Sequence, residues 1–240
     1  MKTVVVTGAT RGLGLAISRQ AIADGYKVIA VARTLSDQLK ALIQQQPESV
    51  MYEQFDFSDL AGIHAFATRI SKEHGRPWAL INNAALGTDG VLATLHENDI
   101  SQLIRVNIEA PILLTKYMLR PMLINRGGRI INISSIIATT GFSGLSVYAA
   151  TKAALAGFTR SLSREVGKAG ITVNTVAPGY METDMTSALQ GDKLQAIRRR
   201  SPLGRLAKAE DVAQAVSYLL SDKAASVTGS TMTVDAGSTA

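Results

Sequence analysis

VVVTGATRGLG, residues 4 to 14, runs from a short β-branched stretch straight into glycines that open a helical pattern. Glycine permits a tight turn and a close backbone approach to an anion, while a helix N-terminus offers unpaired N–H groups and the positive end of its dipole. Strand, glycine loop and helix in that order predict a phosphate cradle formed by Gly8, Thr10, Arg11, Gly12, Leu13 and Gly14. The glycines are separated by three residues and then one, which departs from the G-x-G-x-x-G order of the commonest dinucleotide loop.

The same alternation continues outward from this stretch. VIAVA (28–32), VMYEQFDF (50–57), ALIN (79–82), RIINIS (129–134), ITVNTVA (171–177) and TMTVDA (231–236) are further strand candidates, separated by segments of helical spacing. Seven strands with helical spacers predict a doubly wound α/β fold: a single seven-stranded parallel sheet with helices on both faces. Gly25 and Gly75 mark helix ends ahead of the following strands. A chain of 240 residues fits one such domain, residues 1–240.

Two segments interrupt the pattern. Residues 102 to 124 are apolar nearly all round and include Pro111, so this helix needs cover on more than one face, from a subunit interface or from burial in one large core. The connection from about 180 to 207 is long, polar and basic, and its position after a strand predicts a substrate lid.

Composition excludes several chemistries. The chain has no cysteine, hence no disulfide, thiolate nucleophile or cysteine-ligated metal, and His64, His74 and His96 lack metal-ligand spacing. No apolar run is long enough for a signal peptide or a membrane span, which predicts a cytoplasmic protein. The net charge of +6 admits nucleic acid, an anionic lipid surface or an acidic protein partner. Basic residues are dispersed apart from Arg198 to Arg200, and no nucleic-acid module accompanies them.

Where the second strand ends, a free ribose 2′-hydroxyl would call for a carboxylate; Ala32 stands there, followed by Arg33. Arg33 and Arg11 together supply two guanidinium groups for a 2′-phosphate, which predicts NADPH/NADP+ as cofactor. In SVYAATKAAL (146–155), Tyr148 and Lys152 are four residues apart on one helix face. An ammonium about 4 Å from a phenol favours the phenolate by roughly 4 kcal/mol at an effective dielectric of about 20, so Lys152 is expected to lower the Tyr148 pKa. Ser134 and Ser135 end a strand and point to opposite faces, so one of them is expected to hold a substrate oxygen beside the tyrosine.

These stretches, with NNAA (82–85), RVNIEA around Asn107 and APGYMETDM, resemble the short-chain dehydrogenase/reductases along essentially the whole chain. The resemblance implies a Rossmann fold and a catalytic set of Asn107, Ser135, Tyr148 and Lys152. It places Asp56 and Phe57 beside the adenine and Asn83, Ala84 and Ala85 near the ribose. Pro178, Gly179, Met181 and Thr183 fall at the nicotinamide end, and Lys152 also holds the nicotinamide ribose. Within the family, GYMETDM, SPLGRLAKAEDVA and SDKAASVTGSTMTVDAG are similar to the 3-oxoacyl-[acyl-carrier-protein] reductases. That implies an acidic carrier protein as partner, Arg126 and Lys168 as docking cations, and a tetramer. The chain departs from the pattern in having Ala85 for a glycine, and Phe142 and Leu145 where close relatives often carry asparagine and glutamine. Both changes make the substrate wall more apolar and suit a bulkier or conjugated acyl chain of polyketide type. A free ketone, alcohol or sugar substrate is the alternative.

Overall fold

The computed structural model describes residues 1–181 and 198–240. Seven strands form one sheet, all parallel: β1 (Thr3–Thr7), β2 (Lys27–Ala32), β3 (Val50–Gln54), β4 (Ala79–Asn82), β5 (Gly128–Ile133), β6 (Ile171–Pro178) and β7 (Thr231–Val234). Their spatial order, β3-β2-β1-β4-β5-β6-β7, reverses direction between β1 and β4. That reversal leaves a crevice at the carboxyl ends of the strands, where open α/β sheets bind ligands. Every residue of β4, β5 and β6 is buried, as expected for parallel strands covered on both faces.

The covering helices are α1 (Gly12–Ala23), α2 (Asp37–Gln45), α3 (Ile63–Glu73), α4 (Glu97–Ile104), α5 (Ala110–Asn125), the short α6 (Ile137–Thr140), α7 (Ser146–Val166) and α8 (Ala209–Leu220). One apolar layer joins Leu13, Ile17 and Leu39 to Val212, Val216 and Leu219 across one face of the sheet. The other joins Phe66 and Ile70 to Leu114, Met118 and Leu162 across the opposite face. The predicted strands and both glycine stops hold: Gly25 and Gly75 lie just past α1 and α3 with φ of 84° and 78°. The third strand is shorter than VMYEQFDF; it ends at Gln54, and Phe55 and Phe57 turn in to pack on Phe66.

Between α4 and α5 the chain continues as a π-helical turn, Arg105–Glu109. Pro111 has no N–H to donate to the Asn107 carbonyl four residues back, so a regular α-turn is not available there. This segment is buried along Leu103, Val106, Leu114 and Met118, while Ile104, Leu123 and Ile124 remain exposed. Beneath the crevice a buried polar chain links Thr115, Asn82, Asn132, Thr159 and Thr175. These bonds fix β4, β5 and β6 relative to α5 and α7.

Residues 182–197, the centre of the predicted lid, lie outside the described residues. Its two ends meet, because Met181 forms a parallel bridge with Ala207. Among the described residues no helix is long and apolar enough to cross a membrane.

Candidate active site

The glycine loop is built as its sequence suggests. Gly8 adopts φ 67° and its N–H donates to Val31 O at 2.8 Å. A side chain on Gly14 would put its Cβ 2.1 Å from the Gly8 oxygen, so only glycine lets α1 rest on the loop. Arg11 stands at the N-cap of α1 and makes no side-chain capping bond to the helix, and the first turn holds no acid. Its N-terminal N–H groups therefore face the crevice with their dipole uncompensated, a cradle that fits a pyrophosphate.

Thr7 joins this cradle to the NNAA segment: its hydroxyl accepts from the N–H groups of Asn83 and Ala84, both at 2.9 Å. Asn83 returns the connection, Nδ2 donating to Thr7 O at 2.9 Å and Gly8 O at 3.2 Å. Ser36 donates to Thr10 O at 2.6 Å while capping α2, which brings the turn bearing Arg33 beside the loop bearing Arg11. Both arginines are exposed at that corner. Asp56 is exposed beyond β3 and accepts from Ser58 N–H, whereas the Phe57 ring is buried in the core.

Strand β5 resolves the serine pair. Ser134 points away and donates to Lys152 O at 2.8 Å, leaving Ser135 to hydrogen-bond the Tyr148 phenol. Tyr148 and Lys152 do share a face of α7, with the ammonium 5.7 Å from the ring centroid. Their electrostatics, however, correct the sequence expectation. Burial, opposed by the Ser135 hydrogen bond and reinforced by Asp89, pushes the phenol up to about 12. The Lys152 ammonium is not aimed at the phenol oxygen: it donates to Ile133 O at 2.9 Å, and burial brings its pKa down to about 8. With protein groups alone, then, Tyr148 is a firmly protonated donor rather than a near-neutral shuttle.

Asn107 sits in the π-turn with its carboxamide fully engaged. It accepts from Leu86 N–H at 2.8 Å and donates to Leu86 O at 2.9 Å and to Thr151 Oγ1 at 3.1 Å. It thus ties the loop after β4 to the helix carrying Tyr148 and Lys152. Ala85, between these tethers, is half-buried. Gly179 is held under the carboxyl-terminal turn, where a Cβ would come within 2.6 Å of Asp235 Cβ. Pro178 is buried and Met181 half-buried on the same stretch; Thr183 is outside the described residues.

Phe142 and Leu145 precede α7 at the mouth. Phe142 is half exposed and meets Tyr180 edge-on, with ring centroids 6.0 Å apart. Leu145 caps α7 and its N–H donates to Phe142 O at 3.1 Å. Asp89, Tyr180 and Arg200 complete this mouth and were not assigned from the sequence; Asp89 acts on both tyrosines and Arg200 on Tyr180. No local motif marks Asp89, and Arg200 reads in sequence as one more solvated cation. Arg126 and Lys168 are elsewhere. They flank the amino ends of β5 and β6, close to one another because Arg126 O would lie 3.0 Å from a Cβ on Gly170.

Comparison with known proteins agrees with this architecture. Residues 8–239 match the family profile described as enoyl-(acyl carrier protein) reductase. The 3-oxoacyl-[acyl-carrier-protein] reductases FabG of Salmonella typhimurium and of Escherichia coli K12 are each 40% identical, with 98% of this chain and 96% of each relative covered. Among solved structures, a blue fluorescent protein from a metagenomic library in complex with NADPH matches with a TM-score of 0.93 and 32% identity over 100% of this chain and 98% of its own. A putative NAD(P)-dependent gluconate 5-dehydrogenase from Beutenbergia cavernae with bound NADP gives a TM-score of 0.93 at 33% identity, covering 98% and 96%.

Proposed function

The chain belongs to the short-chain dehydrogenase/reductase family of oxidoreductases, and from that premise we propose that it reduces 3-oxoacyl thioesters with NADPH. The product is the 3-hydroxyacyl thioester, and the acyl chain is carried by an acidic acyl carrier protein in fatty-acid or polyketide-type biosynthesis. The observation that carries this reading is Tyr148: a half-buried phenol held protonated beside the Ser135 hydroxyl, one helical turn from a buried ammonium. Support for the substrate class is the identity with 3-oxoacyl reductases along nearly the whole chain.

NADPH, when bound, supplies the hydride. The glycine loop and the N-terminus of α1 would hold its pyrophosphate, Arg11 and Arg33 its 2′-phosphate, and Asn83, Ala84, Ala85 and Lys152 its riboses. Asp56 and the backbone of Phe57 would border the adenine, and Pro178 to Met181, with Thr183, the nicotinamide. Ser135 and Tyr148 both donate to the substrate carbonyl oxygen and polarise it. Tyr148 then gives its proton to the oxygen as it becomes an alkoxide, a far stronger base than a phenolate. Lys152, buried beside the ring, stabilises the phenolate left behind. Asn107 holds the loop against α7 and anchors the relay that returns a proton. Such a reductase works in the cytoplasm and, on the pattern of its family, as a tetramer.

The rival substrate is a free carbonyl compound, a reading encouraged by the resemblance to a sugar-acid dehydrogenase. The test is cofactor oxidation, followed by absorbance, over 3-oxoacyl groups offered on carrier protein, on a short thiol and as free ketones, with NADPH and NADH in parallel. NADPH-dependent turnover that is greatest on the carrier is the expected result, and Tyr148→Phe should abolish nearly all of it while retaining NADPH binding. Equal efficiency on the free ketones would establish the rival.

A further inference from the structure

Among the described residues, the Tyr180 hydroxyl is a polar atom at the mouth of the site that is shut off from solvent and has no hydrogen-bond partner. A desolvated hydroxyl without a partner is costly in a folded protein, and a phenylalanine would pack the same ring without that cost. Its placement gives it a use. The ring sits edge-on to Phe142, whose loop is bonded through Gly144 O to Gly90 N–H at 2.9 Å, beside Asp89. Asp89 in turn acts on both Tyr180 and Tyr148, so one carboxylate lies within electrostatic reach of both phenols.

We propose that Tyr180 is a specificity-determining residue whose hydroxyl donates to a second oxygen of the substrate, the thioester carbonyl, while Tyr148 and Ser135 hold the reacting one. The inference rests on the thioester reading above. A 3-oxoacyl thioester carries two carbonyl oxygens on alternate carbons, and the reacting pair of hydroxyls engages only one. The second would be stranded against the apolar Phe142 wall without a donor there.

A site built to hydrogen-bond a substrate oxygen rejects the analogue that lacks it, because its own polar group is then left unpaired. The measurement is kcat/KM for a 3-oxoacyl thioester of a short thiol and for a ketone of equal length with methylene in place of the thioester carbonyl. Both are assayed with wild type and Tyr180→Phe. Wild type should prefer the thioester, and the variant should reduce that preference about tenfold or more. Its thermal midpoint should not fall, since the hydroxyl removed has no partner in the protein. An undiminished preference in Tyr180→Phe, or a parallel loss on both substrates, overturns the role of Tyr180 while leaving the thioester reading intact. Absence of any preference in wild type removes the thioester reading, and this inference with it.

Discussion

An ammonium with almost no exposed surface, such as that of Lys152, is held charged only at the expense of fold stability. With its pKa brought from 10.5 to about 8 by burial, keeping it charged at pH 7 costs on the order of 3 kcal/mol. Between these two values the unfolded chain binds the proton more tightly than the folded one, so stability gained from this group rises with pH from about 8 to about 10.5. Lys152→Met should therefore unfold at a higher denaturant concentration than wild type at pH 7, with the gap narrowing toward pH 10, while turnover is lost. A gap independent of pH would show that Lys152 carries no such penalty. The pair at 148 and 152 was legible in the sequence because helical spacing fixes which side chains share a face. The sign of the Tyr148 shift was not, because spacing says nothing about where an ammonium points. Ile133 O, nineteen residues away, decides that.

Elements were read most securely where their pattern is local. Seven β-branched runs became seven strands, and the glycine stretch became the turn between β1 and α1. The π-turn at Arg105–Glu109 escaped because the apolar residues around it continue a helical pattern, and a missing N–H at Pro111 changes hydrogen bonding without changing that pattern. The third strand was overextended because Phe55 and Phe57 have strand propensity but are drawn into a ring cluster with Phe66. The tightest constraint on any element is the seating of α1 on the loop before it. Gly14→Ala would drive a methyl into the Gly8 oxygen and should cost about 2 kcal/mol or more in stability. It should also weaken NADPH binding, read by fluorescence titration. Unchanged stability and affinity would mean the helix and loop can separate at little cost.

Across the whole molecule the two basic positions implied in carrier docking lie at the amino edge of the sheet. Strand β5, six residues or about 20 Å, separates them from Ser135 at the other edge. A carrier docked at Arg126 and Lys168, as the proposed function would have it, lies at the opposite edge of the sheet from Tyr148 of the same chain. Replacing both with glutamate should raise KM for a carrier-borne substrate about tenfold at low salt, relative to the same acyl group on a short thiol. An equal effect on both would remove these cations from docking. Sequence could not show this separation, because Arg126 and Lys168 precede strands whose direction becomes meaningful only when they pair in parallel. The bridge between Met181 and Ala207 has a wider consequence. Since the chain departs and returns at one point, the entropic cost of closing the stretch between grows only slowly with its length. A stretch anchored in this way is a cassette, whose length can change at little cost to the sheet that carries it.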